Sequence, residues 1–88
     1  MDLEQVALKK DVWLKMYDLP ENGPVSIIIY DLMGREIKTL VKQVSAPGRY
    51  SVNWNGRNQF GKQIASGMYF YRMETPKFQS VKKLIFLK

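Results

Sequence analysis

Apolar residues occur in short runs, separated by Gly, Pro and Asn, along the 88-residue chain. The breaks recur about every ten residues, a spacing typical of all-β sandwiches and barrels in which tight turns join short strands. From this pattern we predict seven strands, at residues 3–8, 12–18, 25–30, 36–42, 49–54, 67–73 and 79–87.

The alternation of apolar and polar positions indicates how these strands are buried. Every second residue from Tyr50 to Trp54 is apolar, as in a half-buried strand, whereas residues 25–30 and 68–71 are apolar on both faces and should be central strands. The apolar residues of 37–44 also fit helical spacing, and we predict a strand there because the segment follows a hairpin turn. Seven short strands favour an all-β fold, an immunoglobulin-like antiparallel β-sandwich.

Two turn sequences carry residues at the positions that common β-turns require. Asp31 and Gly34 stand first and fourth in a type I pattern, which should join the third and fourth strands as a hairpin. Pro47 and Gly48 stand second and third in a type II pattern. Residues 55–62 form a longer polar connection rich in Asn and Gly, and we predict a loop with internal turns.

Composition narrows the classes of function. A chain of 10.3 kDa is predicted to form one domain over residues 1–88. The chain has no Cys and no His, which removes thiolate and imidazole catalysis and the usual zinc ligands, so we expect a noncatalytic domain without metal or other cofactor. A net charge of +6 favours acidic partners. No apolar run approaches the roughly 20 residues of a transmembrane helix.

Five segments occur in an order that resembles a known family. They are YDLMGREI at 30–37, GRY at 48–50, WNGRNQFGK at 54–62, ASGMYFYR at 65–72 and KKLIFLK at 82–88. The series resembles the C-terminal sorting domain of type A cargo of the type IX secretion system, and the related immunoglobulin-like domain of the flagellar hook-capping protein. The resemblance covers residues 25–88.

This resemblance implies a role, a location and a partner. A domain of this kind addresses a larger passenger protein to the outer-membrane translocon of a Gram-negative bacterium, so the passenger would be secreted or attached at the cell surface. The partner would be a protein of the translocon or of the attachment machinery. Because the first residues lack the basic then apolar order of a signal peptide, an export signal would lie on a longer parent chain. The alternative function is a structural interaction module, either hook-cap-like or an extracellular spacer beside an enzyme.

The terminal segment is the candidate recognition site. Its residues alternate so that each face of the strand mixes charge with apolar surface: one face carries Val81, Lys83, Ile85 and Leu87, and the other carries Lys82, Leu84, Phe86 and Lys88. We hypothesise that a translocon reads an exposed terminal strand, through strand addition and charge, at Lys82, Lys83, Leu84, Phe86 and Lys88. A structural interpretation is compatible, in which the lysines deter aggregation at a sheet edge. The family pattern further implies that ten residues define the fold: Tyr30, Asp31, Gly34, Arg35, Gly48, Trp54, Gly56, Gly61, Gly67 and Tyr69.

The loop at 55–62 could also be interpreted as a calcium site, because Asn carbonyl oxygens can ligate Ca²⁺. Asn55 and Asn58 stand where the family pattern has acidic residues, and a site without a carboxylate would be weak. We therefore favour a structural turn in which the Asn side chains bond their own backbone.

Residues 69–72 combine aromatic and basic side chains in the manner of platforms that bind single-stranded nucleic acid. A central strand is the favoured interpretation, because the basic residues are scattered along the chain, and we expect no nucleic-acid partner. A carbohydrate platform of exposed aromatics is a further alternative, although Trp13 and Trp54 are expected in the core. Acidic pairs such as Asp18 and Glu21 lie at predicted turns, where capping explains them.

Overall fold

The computed structural model describes the backbone of residues 2–7 and 13–87 and the side chains of residues 16–86. These residues form seven strands: β1 (Asp2–Ala7), β2 (Trp13–Leu19), β3 (Gly23–Asp31), β4 (Glu36–Ser45), β5 (Gly48–Trp54), β6 (Gly67–Glu74) and β7 (Gln79–Leu87). All seven predicted strands are present, and no predicted boundary differs from the observed one by more than three residues. The described residues include no helix that is long and apolar enough to span a membrane.

The strands form two sheets. The larger sheet has the order β1-β7-β6-β3-β4, and the smaller sheet pairs β2 with β5. The prediction that the third and sixth strands are central is confirmed, since each has a hydrogen-bonded neighbour on both sides. All pairs among β2–β7 are antiparallel as expected, whereas β1 pairs with β7 in parallel.

The core lies between the two sheets and takes every second residue of the strands that face it. Its buried side chains are Tyr17, Leu19, Val25, Ile27, Ile29, Val52, Trp54, Ile64, Tyr69, Tyr71, Met73, Leu84 and Phe86. Fully burying a large apolar side chain contributes about 1.5–3 kcal/mol, so burial of these alternate residues holds one face of each strand against the core. Trp54 is 2% exposed, as expected. The side chain of Trp13 lies outside the described side chains.

Two β-bulges explain why the segment at 36–42 resembled a helix. The register between β3 and β4 shifts between Ile27 and Ile28 and again between Ile29 and Tyr30. Each shift inserts one extra residue into β4, which breaks the strict alternation of a strand and produces apolar spacings of three and four. The prediction of a strand is confirmed, and its ambiguous pattern has a local geometric cause.

The long loop covers part of the open edge of the larger sheet. The Gln59 N–H donates to the Ile37 carbonyl oxygen at 3.0 Å, and the Gln59 side-chain carbonyl accepts from the Thr39 N–H at 3.4 Å. Gln59 thereby satisfies two backbone groups of β4 that would otherwise face solvent. Exposed edge groups invite pairing with other chains, so the loop protects the first half of this edge.

Candidate functional site

The terminal strand β7 is paired along both of its edges. It pairs antiparallel with β6 on one side, and in parallel with β1 on the other, where Lys82 lies opposite Asp2 and Leu87 opposite Ala7. The expectation of an exposed terminal strand at a sheet edge is therefore wrong. Its backbone groups already belong to two ladders, so strand addition at β7 would require β1 to leave. The cause is a contact between segments about 80 residues apart, which no local pattern reveals.

The five residues hypothesised to bind a translocon do not form one surface. Leu84 and Phe86 are 0% and 1% exposed and belong to the core, out of reach of a partner that contacts the folded domain. Lys82 is half-buried on the same side of the sheet as these two residues. Lys83 is half-buried on the opposite side, which faces away from the smaller sheet. Lys88 lies outside the described residues.

The side of the larger sheet that faces away from the smaller sheet, here called the outer face, places apolar groups around Lys83. Tyr30, Phe70 and Lys83 are cross-strand neighbours in one row over β3, β6 and β7, and all three are half-buried. Along β7, Lys83 is flanked by Val81, which is 39% exposed, and by the half-buried Ile85. Alternation within residues 81–85 places Val81, Lys83 and Ile85 together, but no local pattern identifies Tyr30 and Phe70 as neighbours of this lysine, because they lie on other strands.

A shallow cavity of about 300 Å³ on the outer face is lined by Tyr30, Gly34, Phe70, Arg72 and Val81. The Arg72 Nη2 donates to Gln79 Oε1 at 2.8 Å, and its Nε lies 2.8 Å from Glu74 Oε1. The guanidinium is thus held against the sheet by two polar neighbours. Tyr69 and Tyr71, the other aromatic positions of this segment, are buried in the core. This arrangement confirms the central-strand interpretation of residues 69–72.

The hairpin between β3 and β4 is held by Asp31. Its Oδ1 accepts from the N–H groups of Met33 and Arg35 at 2.9 Å each, and its Oδ2 accepts from Arg35 Nε at 2.8 Å. The Gly34 N–H closes the turn on the Asp31 carbonyl at 3.0 Å, with φ of +82° at Gly34. These donors, the Arg35 N–H above all, hold the pKa of the Asp31 carboxyl below its ordinary value of 3.8 against the opposing effect of desolvation. The predicted turn is confirmed.

Gly56 lies against an aromatic cluster of the core. The ring centroid of Phe86 is 5.9 Å from that of Trp54 and 6.5 Å from that of Tyr69. Gly56 has φ of +75°, and a Cβ there would lie 2.7 Å from Phe86 Cζ and closer still to Cε2. Trp54 Nε1 donates to the Arg57 carbonyl at 3.0 Å, which ties the start of the loop to the same cluster. The backbone can pass Phe86 at this point because Gly56 has no side chain.

Two tyrosines tie the beginnings of their strands to the preceding turns. Tyr69 Oη donates to the Ala65 carbonyl at 2.8 Å, and Tyr50 Oη donates to the Ala46 carbonyl at 2.6 Å. Burial, followed by the charge of Asp31, raises the pKa of the Tyr69 hydroxyl above its ordinary value of 10.0. These residues therefore act in the fold, by fixing where β5 and β6 begin.

The Asn side chains of the long loop bond its own backbone. Asn58 Oδ1 accepts from the N–H groups of Phe60 at 2.9 Å and Lys62 at 3.0 Å, and Asn55 Oδ1 accepts from the Arg57 N–H at 3.2 Å. The structural-turn interpretation is confirmed for these two residues. Because these oxygens are already acceptors of backbone bonds, they serve the loop conformation.

Asp18 and Glu21, at the end of the sandwich opposite the β3–β4 hairpin, each lie beside a cation. Asp18 Oδ1 is 3.1 Å from Arg49 Nε, and Glu21 Oε1 is 3.6 Å from Lys77 Nζ. Among residues 16–86, whose side chains the structure describes, no three His, Cys, Asp or Glu form a group that could hold a metal ion.

Comparison with known proteins identifies an immunoglobulin-like family and similar regions in two longer proteins. The sequence matches the family described as the FlgD Ig-like domain over residues 12–77, which contain β2–β6, and the predicted immunoglobulin-like β-sandwich is confirmed. The crystal structure of dimeric latent PorU from Porphyromonas gingivalis contains a similar region, with 26% identity over 88% of this chain and a TM-score of 0.61. Comparison with curated proteins gives no match.

A second solved structure supports the fold. It is that of PorZ from Porphyromonas gingivalis, described as an essential bacterial surface component of the type IX secretion system. PorZ is similar over 88% of this chain with 21% identity and a TM-score of 0.51. The chain spans 9% of the length of PorU and 11% of that of PorZ, so in both cases the similarity concerns a small part of a much longer protein.

Proposed function

The chain belongs to the family of FlgD Ig-like domains, and from this premise we propose that it is a noncatalytic sorting domain that directs a secreted bacterial protein across the outer membrane to the cell surface. The observation that carries this proposal is the likeness to parts of PorU and of PorZ, the latter a surface component of the type IX secretion system. Since the chain matches about a tenth of each of these proteins, the proposal includes that it is covalently part of a longer passenger protein.

The outer face around Lys83 is the surface that we assign to the protein partner. Val81 and Ile85 flank this lysine along β7, and Phe70 lies beside it on β6. A translocon or attachment protein could cover the apolar groups and place an acidic side chain against Lys83, which would combine burial with charge complementarity. The buried Leu84 would then contribute by holding β7 in the sheet, without touching the partner.

A fusion experiment tests this role. A reporter passenger joined to residues 1–88 should reach the surface of a bacterium that has the type IX secretion system, and should stay in the periplasm of a strain that lacks it. Lys83→Glu should lower surface delivery about tenfold, because it reverses the proposed charge contact. Lys42→Glu is the matched control: Lys42 is exposed on β4, carries the same charge and should tolerate the change.

A point substitution tests recognition more specifically than a truncation does. Removing residues 79–88 should also retain the passenger in the periplasm, but it deletes Leu84 and Phe86 from the core and so unfolds the domain. Thermal unfolding of each variant separates loss of fold from loss of recognition. Equal surface delivery of the wild-type, Lys83→Glu and truncated fusions would refute the sorting role.

The family match itself favours a second candidate function, a structural interaction module that is hook-cap-like or an extracellular spacer. The same fusions discriminate the two roles. A folded fusion that stays in the periplasm of a competent host, together with a parent protein that assembles into a larger structure, would favour the structural module over the sorting domain.

A further inference from the structure

Two turns at one end of the sandwich expose large apolar side chains. Met33 and Leu32, in the β3–β4 hairpin, are 80% and 58% exposed, and Phe60, in the loop at 55–62, is 87% exposed. Single exposed apolar residues are common on protein surfaces, but clustered ones mark interaction sites. Together with the nearby cations Arg35, Arg57 and Lys62, these three residues are here called the apical surface.

A direct backbone contact joins the two turns. The Gln59 N–H donates to the Ile37 carbonyl at 3.0 Å. Gln59 immediately precedes Phe60, and Ile37 follows Met33 by four residues on the strand that leaves the hairpin. The two apolar tips therefore belong to one end of the molecule and can meet the same partner.

Both tips are convex and are held in shape by hydrogen bonds. Asn58 Oδ1 accepts from the N–H groups on either side of Gly61, and Asp31 Oδ1 does the same around Gly34. A Cβ placed on Gly34 or Gly61 would have no other atom within 4 Å, so solvent surrounds these turns. Ordered turns thus hold Met33 out into solvent, instead of letting it collapse onto the sheet.

The charges around the tips are mostly positive. The Arg35 side chain is 75% exposed, Arg57 Nη1 donates to the Gly61 carbonyl at 2.8 Å beside Phe60, and Lys62 is exposed. Of the nearby carboxylates, Asp31 is paired with Arg35, and Glu36 is exposed. The cations therefore exceed the acids at this end of the molecule.

We propose that the apical surface binds an anionic lipid bilayer. Apolar side chains at the tips would enter the interfacial region while the cations contact headgroup phosphates, which is how amphipathic protein surfaces associate with membranes. The tips project into solvent as convex turns, a shape that suits contact with a planar surface, and their net positive charge matches an anionic one. The inference goes beyond sorting and does not depend on it, since it concerns other residues than Lys83.

Vesicle binding by the 88-residue chain tests the proposal. The protein should sediment with vesicles of equal parts phosphatidylglycerol and phosphatidylcholine, and much less with vesicles of phosphatidylcholine alone. Phe60→Ser and Met33→Ser should each weaken binding about tenfold, the effect of losing partial burial of one large apolar side chain. Lys62→Glu should weaken it at least about fivefold, since one cation near an anionic membrane contributes about 1 kcal/mol.

Matched controls lie on β4, away from the tips. Val44 is 72% exposed and Lys42 is exposed, so Val44→Ser and Lys42→Glu change an apolar and a basic surface residue outside the apical surface. Both should bind vesicles within twofold of the wild type. Three results would overturn the proposal: no binding to anionic vesicles, equal binding to neutral ones, or equal losses for Lys62→Glu and Lys42→Glu with none for Phe60→Ser. That last outcome would indicate general charge adsorption.

Discussion

Replacing Gly56 with Ala perturbs the point where the long loop passes closest to the core. The new methyl group meets two separate obstacles. The backbone has φ of +75°, and the Cβ would lie 2.7 Å from Phe86 Cζ and 2.8 Å from Gln63 Nε2. Phe86 is 1% exposed and packs against Trp54 and Tyr69, so its ring has no free space into which it could move.

The expected loss of stability follows from these two obstacles. Holding a residue with a Cβ in the left-handed region costs about 1–2 kcal/mol, and forcing an extra methyl group into a packed core costs about 1–3 kcal/mol. Gly56→Ala should therefore lower the free energy of unfolding by about 2–5 kcal/mol, a large share of the roughly 5–15 kcal/mol typical of a domain. Gly61→Ala is the matched control, since Gly61 has φ of +79° and no atom within 4 Å of a Cβ, and it should cost about 1–2 kcal/mol.

Urea unfolding followed by tryptophan fluorescence measures both variants, because Trp54 is buried in the native protein. A second background sharpens the test: with Phe86→Leu, the additional cost of Gly56→Ala should shrink, since the colliding ring edge is gone. Two results would refute the close approach to Phe86 as the reason for a glycine at position 56. One is equal destabilisation by Gly56→Ala and Gly61→Ala; the other is the same loss of stability from Gly56→Ala in the wild-type and Phe86→Leu backgrounds.

Two further predictions concern the hairpin turn and the start of β6. The pKa of Asp31 is lowered in the folded protein, so its contribution to stability is present above the ordinary value of 3.8 and is lost as the pH falls through the folded value. Asp31→Ala should therefore make the acid-induced decrease in the free energy of unfolding less steep. An unchanged pH profile of the free energy of unfolding would contradict this. Tyr69→Phe should lower the free energy of unfolding in urea by about 1 kcal/mol, because it leaves the Ala65 carbonyl without its partner. Tyr50→Phe should lower it less, because the hydrogen bond of Tyr50 is exposed. A larger loss for Tyr50→Phe than for Tyr69→Phe would contradict this reasoning.

The strands and the β3–β4 hairpin of this fold were predictable because local chemistry specifies them, whereas Gly48, with φ of +152°, does not form the type II turn expected there. Asp31 and Gly34 supply a capping carboxylate and a positive φ within four residues, so the hairpin they form could be predicted from sequence. β3 and β6 are apolar on both faces, and they had to be central strands. The other sheet can cover one apolar face, and side chains of the neighbouring strands on either side help to cover the second. Lys83 was also assigned correctly to the face opposite Leu84, because alternation along a strand has a period of two.

The candidate recognition site was less predictable, because its accessibility depends on distant segments. Alternation cannot tell which face of β7 turns to the core, and so Leu84 was assigned to a contact surface although it is fully buried. The pairing of β1 beside β7 joins residues about 80 positions apart and removes the free edge on which strand addition depended. Gln59 reaches β4 in the same non-local way.

The sequence by itself determined the strand pattern, the β3–β4 hairpin, the turns of the loop at 55–62 and the immunoglobulin-like class, since each depends on the period of side chains along a strand or on the backbone preferences of a few adjacent residues. Only the tertiary structure decided that β7 is enclosed, that Gly56 must lack a side chain beside Phe86, and that Met33 and Phe60 share one end of the molecule. These features depend on contacts between distant segments. The geometry of those contacts is fixed when the two sheets pack against each other, and the spacing of residues within a segment does not predict it.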